Sequence, residues 1–202
     1  MTISGTPVIG SLYTTVATLK TRLSISDATD DTTLGLVLDG VCRAIDGHCG
    51  QSFYKDSAAS IRYYTAVDKR TVFVDPLVSV TTLATDGDVD RTYSQTWAAT
   101  DYDLMPANAA SRDRPYTWLE QAPDGDYNFP TRSLGVKLTA VFGWPAVPAA
   151  VSEAALLWAE RIFKRKDAPF GIASFIEAGE MRLIKEIDPD VVTLLKPFVR
   201  LF

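Results

Sequence analysis

A helical period of apolar residues stops at Gly50, gives way to short alternating runs, and returns only at Pro148. This change of period, from spacings of three and four to a spacing of two and back, constrains the fold more than any single motif. Leu34, Leu38, Val41, Cys42, Ile45 and Cys49 share one face of a predicted helix, and Gly50 stands where a left-handed C-terminal cap belongs. A shorter helix precedes it, with Thr14 or Thr15 as N-cap and Val16, Leu19 and Leu23 on one side. After Pro148 the apolar face is read as Val151, Ala154, Ala155, Trp158 and Ile162. Asp188-Pro189 opens a last short helix, which Pro197 should stop near Leu195 or Lys196. Gly35, Gly40 and Gly47 weaken the long helix, which suggests that a neighbouring backbone approaches it closely.

Between the helical ends, strand-like runs are expected at 61–65, 71–74, 78–84, 102–104, 117–120 and 136–142. Asp75-Pro76, Asp86-Gly87, Pro123-Asp124-Gly125 and Gly143-Trp144-Pro145 punctuate them. The polar intervals 90–100 and 107–115 should project from the rim. The expected class is α+β: a helical bundle formed by N- and C-terminal segments, with an inserted antiparallel β-rich domain, a small sandwich or barrel. The expected boundaries are a flexible arm at 1–13, a helical base at 14–52 and 144–202 with a C-terminal tail, and the β-rich insert at 53–143.

Composition narrows the function. A chain of 202 residues with 47% hydrophobic and 22% charged residues can bury a proper core. Its net charge of -5 argues against sequence-independent DNA binding, which needs a basic excess. No apolar run approaches the roughly 18 residues of a membrane span. The first residues lack the basic and apolar regions of a signal peptide, so a soluble protein made in a cytoplasm is expected. Two cysteines, Cys42 and Cys49, fit a reducing compartment. On one helix they lie about 10 Å apart along the axis, beyond the roughly 7 Å a disulfide tolerates.

Chemistry-bearing constellations are scarce. Cys42, His48 and Cys49 are metal-ligand types, but His48 points about 100° away from Cys49 and no second Cys or His cluster exists, so packing is the expected role. The one histidine and the lack of a Gly-x-Ser-x-Gly elbow leave no hydrolase triad. Asp86, Asp88 and Asp90 alternate as in a calcium loop, but Arg91 and Trp97 stand where Gly and Glu are required, so a solvated hairpin turn is expected. The basic cluster Arg161, Lys164, Arg165 and Lys166 suits a helix C-terminus, with Glu153, Glu160 and Asp167 diluting it. No catalytic residue, cofactor or metal is expected. The C-terminus, VVTLLKPFVRLF, is apolar nearly all round, and each such side chain left in water forgoes about 1.5–3 kcal/mol.

Three segments carry a family likeness: TVATLKTRLSISDATDDTTLGLVLDGVCRAIDGHCGQSF at 15–53, VFGWPAVPAAVSEAALLWAERIFKRK at 141–166, and DPDVVTLLKPFVR at 188–200. Their order and spacing resemble the head–tail connector (adaptor, head-completion) proteins of long-tailed double-stranded-DNA bacteriophages. The resemblance implies a non-enzymatic virion protein of the neck, assembled in the host cytoplasm. Its copies would form a ring, usually of twelve, beneath the portal protein. That ring would extend the channel for passing DNA without sequence-specific binding, and offer a platform to a stopper or tail-completion protein. Leu194, Leu195, Phe198, Val199, Leu201 and Phe202 are then the expected portal contacts. Phe170, Ile172, Phe175 and Ile176 are the expected subunit-interface or ordering loop. A monomeric β-sandwich binding module is the alternative.

Overall fold

Thr15 begins the first helix because its side chain satisfies a backbone donor that no carbonyl can reach: Thr18 N donates to Thr15 Oγ1 at 3.1 Å. The computed structural model describes residues 11–165 and 187–200. It divides the chain into two units, Met1–Ser52 with Val147–Phe202, and Phe53–Ala146.

In the helical unit, α1 (Val16–Leu23) ends at Ser24 in the left-handed region, and α2 (Asp31–Cys49) ends at Gly50 with φ 64°. The apolar face of α2 is buried as its period requires, from Leu34 through Leu38, Val41, Cys42 and Ile45 to Cys49. Against it packs α3 (Ala149–Lys164), and α4 (Pro189–Leu195) packs on α3. Arg22 fastens α1 to α3, with Nη1 2.7 Å from Glu153 and Nε 2.8 Å from Glu160.

Three expectations change here. The arm ends before residue 13: Tyr13 is buried, its hydroxyl donates to Asp46, its N–H faces Cys42 Sγ at 3.4 Å, and its carbonyl accepts from Ser152 Oγ at 2.6 Å. An aromatic ring ends the loose lead-in by finding a core. The buried face of α3 keeps the expected Val151, Ala154 and Ala155 and departs from the expected one only beyond them. Val151, Ala155, Ala159 and Phe163, spaced by four, form the ridge that packs inward with Ala154 and Leu156, while Trp158 is half-buried and Ile162 is 37% exposed. The choice between adjacent ridges is made by α2, the helix that α3 packs against. Gly40 and Gly47 are not packing sites among the described residues, where a Cβ at either would meet nothing within 4 Å.

The β unit is one antiparallel sheet of β1 (Ser60–Tyr64), β2 (Thr71–Thr85), β3 (Gln95–Trp97), β4 (Tyr102–Met105), β5 (Tyr116–Gln121) and β6 (Val136–Phe142). The order is β1-β6-β2-β5-β4, with β3 added to β2. Asp75-Pro76 does not end a strand as expected, since β2 runs through it. The register shifts there, and Leu77 pairs with both Tyr116 of β5 and Phe142 of β6. Proline lacks the N–H a ladder needs and is tolerated at such a bulge. The insert thus takes the form of one antiparallel sheet with register shifts along β2.

Val72, Val74, Leu77, Leu83, Leu119, Leu138 and Phe142 line its core. The interval 90–100 does not simply project from the rim. It supplies β3, and Trp97 stacks on Phe129 at 4.4 Å while its indole N–H donates to Thr85 Oγ1 at 3.0 Å. Gly143 has φ 106°, and a Cβ there would lie 2.0 Å from Tyr54 O. Trp144 packs on Phe53 at 5.3 Å, so this unit closes at Ala146 rather than at Gly143.

Candidate assembly surfaces

The C-terminal segment is built from its cap outward. Asp188 accepts from Asp190 N at 2.7 Å, Pro189 occupies the first turn of α4, and Arg161 pairs with the buried Asp188 carboxylate. This arrangement aims Val191 and Leu195 into the helical core, where neither is exposed. Leu195 therefore has no surface to offer a partner, which removes it from the expected contact set. Leu194 is half-buried, and Val192 is 37% exposed.

Pro197 does not release the chain at once as an extended strip. Lys196–Phe198 makes a turn of 3-10 helix, and extended backbone begins at Val199. The next residues return to the end of α2. Gln51 Nε2 donates to Phe198 O at 2.6 Å, and Arg200 N donates to Cys49 O at 2.9 Å. The second bond satisfies a carbonyl that the end of α2 leaves without an intrahelical partner. Phe198 remains half-buried and Val199 38% exposed. Leu201 and Phe202 lie outside the described residues, as do Phe170, Ile172, Phe175, Ile176 and Lys166.

The other candidates resolve into structure. Cys42 and Cys49 are free and buried. Burial pushes the Cys42 thiol up, and pushes that of Cys49 up to about 11. A thiol held protonated is a poor nucleophile and a poor ligand. Two members of the basic cluster are paired, Arg161 with Asp188 and Lys164 with Glu160 at 2.6 Å. Lys164 and Arg22 together hold the Glu160 carboxyl below its ordinary range.

Asp86, Asp88 and Asp90 do converge, with carboxylate oxygens within 4.8 Å of one another. Asp86, however, is buried rather than solvated. It accepts from Val89 N at 2.9 Å and Asp90 N at 3.2 Å, and Arg132 lies 3.6 Å away. A guanidinium already supplies the positive charge, so the cluster organises a turn.

Sequence reading missed the outer face of the sheet. Met105, Trp118 and Phe73 stand in register across β4, β5 and β2, with Phe73 59% exposed. Tyr63 and Tyr93 pack at 5.3 Å farther along the sheet. The run Thr71-Val72-Phe73-Val74 is apolar at three successive positions, which hides its alternation. No helix among the described residues is long and apolar enough to cross a membrane.

No protein-family model matches the chain, and no curated protein matches it. Solved structures do. A chain from the neck of an empty GTA particle, computed with C6 symmetry, aligns with 100% of this chain and 98% of its own length at TM-score 0.55 and 19% identity. A chain from the virion of a native gene transfer agent (GTA) particle aligns with 99% of this chain and 95% of its own length at TM-score 0.52 and 21% identity. This chain shares its fold, from end to end, with components of such particles.

Proposed function

We propose that this chain is a non-catalytic structural component of the neck of a tailed-phage-like particle, a connector acting as a ring of identical copies. The observation that carries the reading is the likeness to the neck chain over 100% of this chain, helical base and β insert together. A likeness confined to the sheet would have favoured the alternative, a monomeric β-sandwich binding module. A net charge of -5 also suits the wall of a DNA channel, which must guide a polyanion without holding it.

In this reading copies of the chain, twelve in the expected ring, contact one another, the portal protein above and a stopper or tail-completion protein below. Duplex DNA passes through the middle. The ring closes through complementary faces of neighbouring copies. Phe170, Ile172, Phe175 and Ile176 belong to those contacts. Phe198, Val199, Leu201 and Phe202 anchor the ring to the portal, with Leu194 beside them.

Val199→Asp and removal of 197–202 test the anchor in a particle system that depends on this chain. The substitution leaves the backbone bonds of Phe198 and Arg200 in place, so the protein should keep its melting temperature while the yield of tailed particles collapses. Removal of 197–202 takes away two hydrogen bonds, at a cost of about 1–3 kcal/mol, and should leave a folded protein that does not join heads. Wild-type particle yield from either variant contradicts the anchoring role.

A further inference from the structure

Two loops at one end of the sheet are braced against each other. One, 86–94, joins β2 to β3, and the other, 130–135, leads into β6. Asp86 N donates to Gly135 O at 3.0 Å, the Tyr93 hydroxyl donates to Leu134 O at 2.8 Å, and Arg132 lies 3.6 Å from the Asp86 carboxylate. Asp86 also accepts from Val89 N and Asp90 N, which fixes the tip of the first loop. The bracing holds the backbone in an unfavourable shape. Among the described residues six other than glycine have a left-handed φ, and four of them, Val89, Arg91, Tyr93 and Leu134, lie in these two loops.

Val89 is the worst suited of these to its place. At φ 72° its branched Cβ is crowded against the backbone, where asparagine or glycine would sit readily. It is also 66% exposed, so the apolar side chain that causes the crowding gains little from burial. Leu134 repeats both costs, with φ 53° and 42% exposure. Strained backbone persists where the surrounding structure over-determines it, and it collects at sites of function. Here the braced loops hold an apolar side chain outward, against the stability of the chain itself.

Charge complementarity names the occupant. Asp88 and Asp90 flank Val89, both exposed and in no ion pair among the described residues. The helical unit carries the opposite arrangement. Ile162 is exposed in the last turn of α3, and Arg165 follows three residues on, hence on the same side of the helix. Arg165 is exposed and makes no ion pair among the described residues. We propose that Val89 of one copy docks beside Ile162 of the next, with the Asp88–Asp90 pair against Arg165. A knob on one surface and its seat on another make a head-to-tail contact, which repeats into a ring. The contact rests on the ring reading and adds to it a named pair of surfaces. Duplex DNA is excluded as the occupant by the two carboxylates beside Val89.

The test uses the full chain, alone and in a particle system that depends on it. Val89→Asn suits the left-handed backbone and removes the apolar knob. The isolated variant should melt about 2–4 °C higher than wild type, while the yield of tailed particles falls about tenfold or more. Asp88→Arg and Arg165→Asp should each cut that yield about tenfold, and the two together should restore it to within about threefold of wild type, because the pair then meets with its signs exchanged. A lower melting temperature or a wild-type yield from Val89→Asn would overturn the knob. A single charge variant without effect, or a double variant that stays impaired, would overturn its seat on α3. If wild-type necks hold this chain as a ring, either failure overturns the contact and leaves the ring standing. Necks without such a ring would overturn both.

Discussion

The helical unit and the β unit handle apolar surface in opposite ways. In the helical unit the long seam of α2 is sealed by α3, and the exposed large apolar residues, Leu36, Ile162, Val192 and Val199, are scattered. In the β unit one face of the sheet is core while the other leaves Ile61, Tyr63 and Phe73 in water, with Trp118 packed edge-on against Phe73. The helical unit also joins pieces of chain that are far apart, Arg22 to Glu160 for instance, whereas the β unit is one continuous stretch. The difference teaches where damage should be felt. Truncation in the helical core opens a cavity in a closed seam, while truncation on the outer sheet removes surface that none of the described residues covers.

The largest effect should come from Leu195→Ala, at about 2–5 kcal/mol, the range for a fully buried leucine. Chemical denaturation should show it as a lower midpoint, and a loss under about 0.5 kcal/mol would mean that α4 is not part of the core. Gly143→Ala should rank next, with a cost above about 1 kcal/mol, because the new Cβ meets Tyr54 O in a left-handed backbone conformation. Arg22→Ala should cost about 1 kcal/mol or less, a loss that shrinks in high salt, since both of its ion pairs are part-exposed.

The same link carries a pH signature. The folded Glu160 carboxyl is held below its ordinary value by Lys164 and Arg22. Its contribution is therefore complete above the ordinary carboxylate pKa and is lost as pH falls through the depressed one. An acid titration of stability should flatten in Glu160→Gln. An unchanged acid limb would break the link. Phe73→Ala should have the smallest effect, within about 0.5 kcal/mol, as expected for a side chain that the described residues leave 59% exposed. A cost above about 2 kcal/mol would mean that the outer sheet face is sealed as the helical seam is.

The helical frame was the legible part of the sequence. Leu34 to Cys49 repeats cleanly, Gly50 caps it, and Asp188-Pro189 starts α4 where expected. What escaped was set by partners distant in sequence. Trp158 and Ile162 fit a helical face but lost it to Ala159 and Phe163, because the choice of ridge belongs to α2. Pro76 looked like a strand end, yet Gly143 N donates to its carbonyl at 2.7 Å and carries the sheet past it. At the candidate site, apolarity marked the C-terminal strip, but nothing local in Phe198 or Arg200 indicated hydrogen bonds to Gln51 and Cys49.

The central claim, that this chain works as a ring in a particle neck, is tested most directly by electron cryo-microscopy of the neck in assembled, DNA-filled particles. The account predicts a closed ring of copies of this fold around the DNA channel beneath the portal, with the 198–202 strip of each copy against portal density. A neck that lacks this chain, or that holds it as a single copy away from the channel, would contradict it.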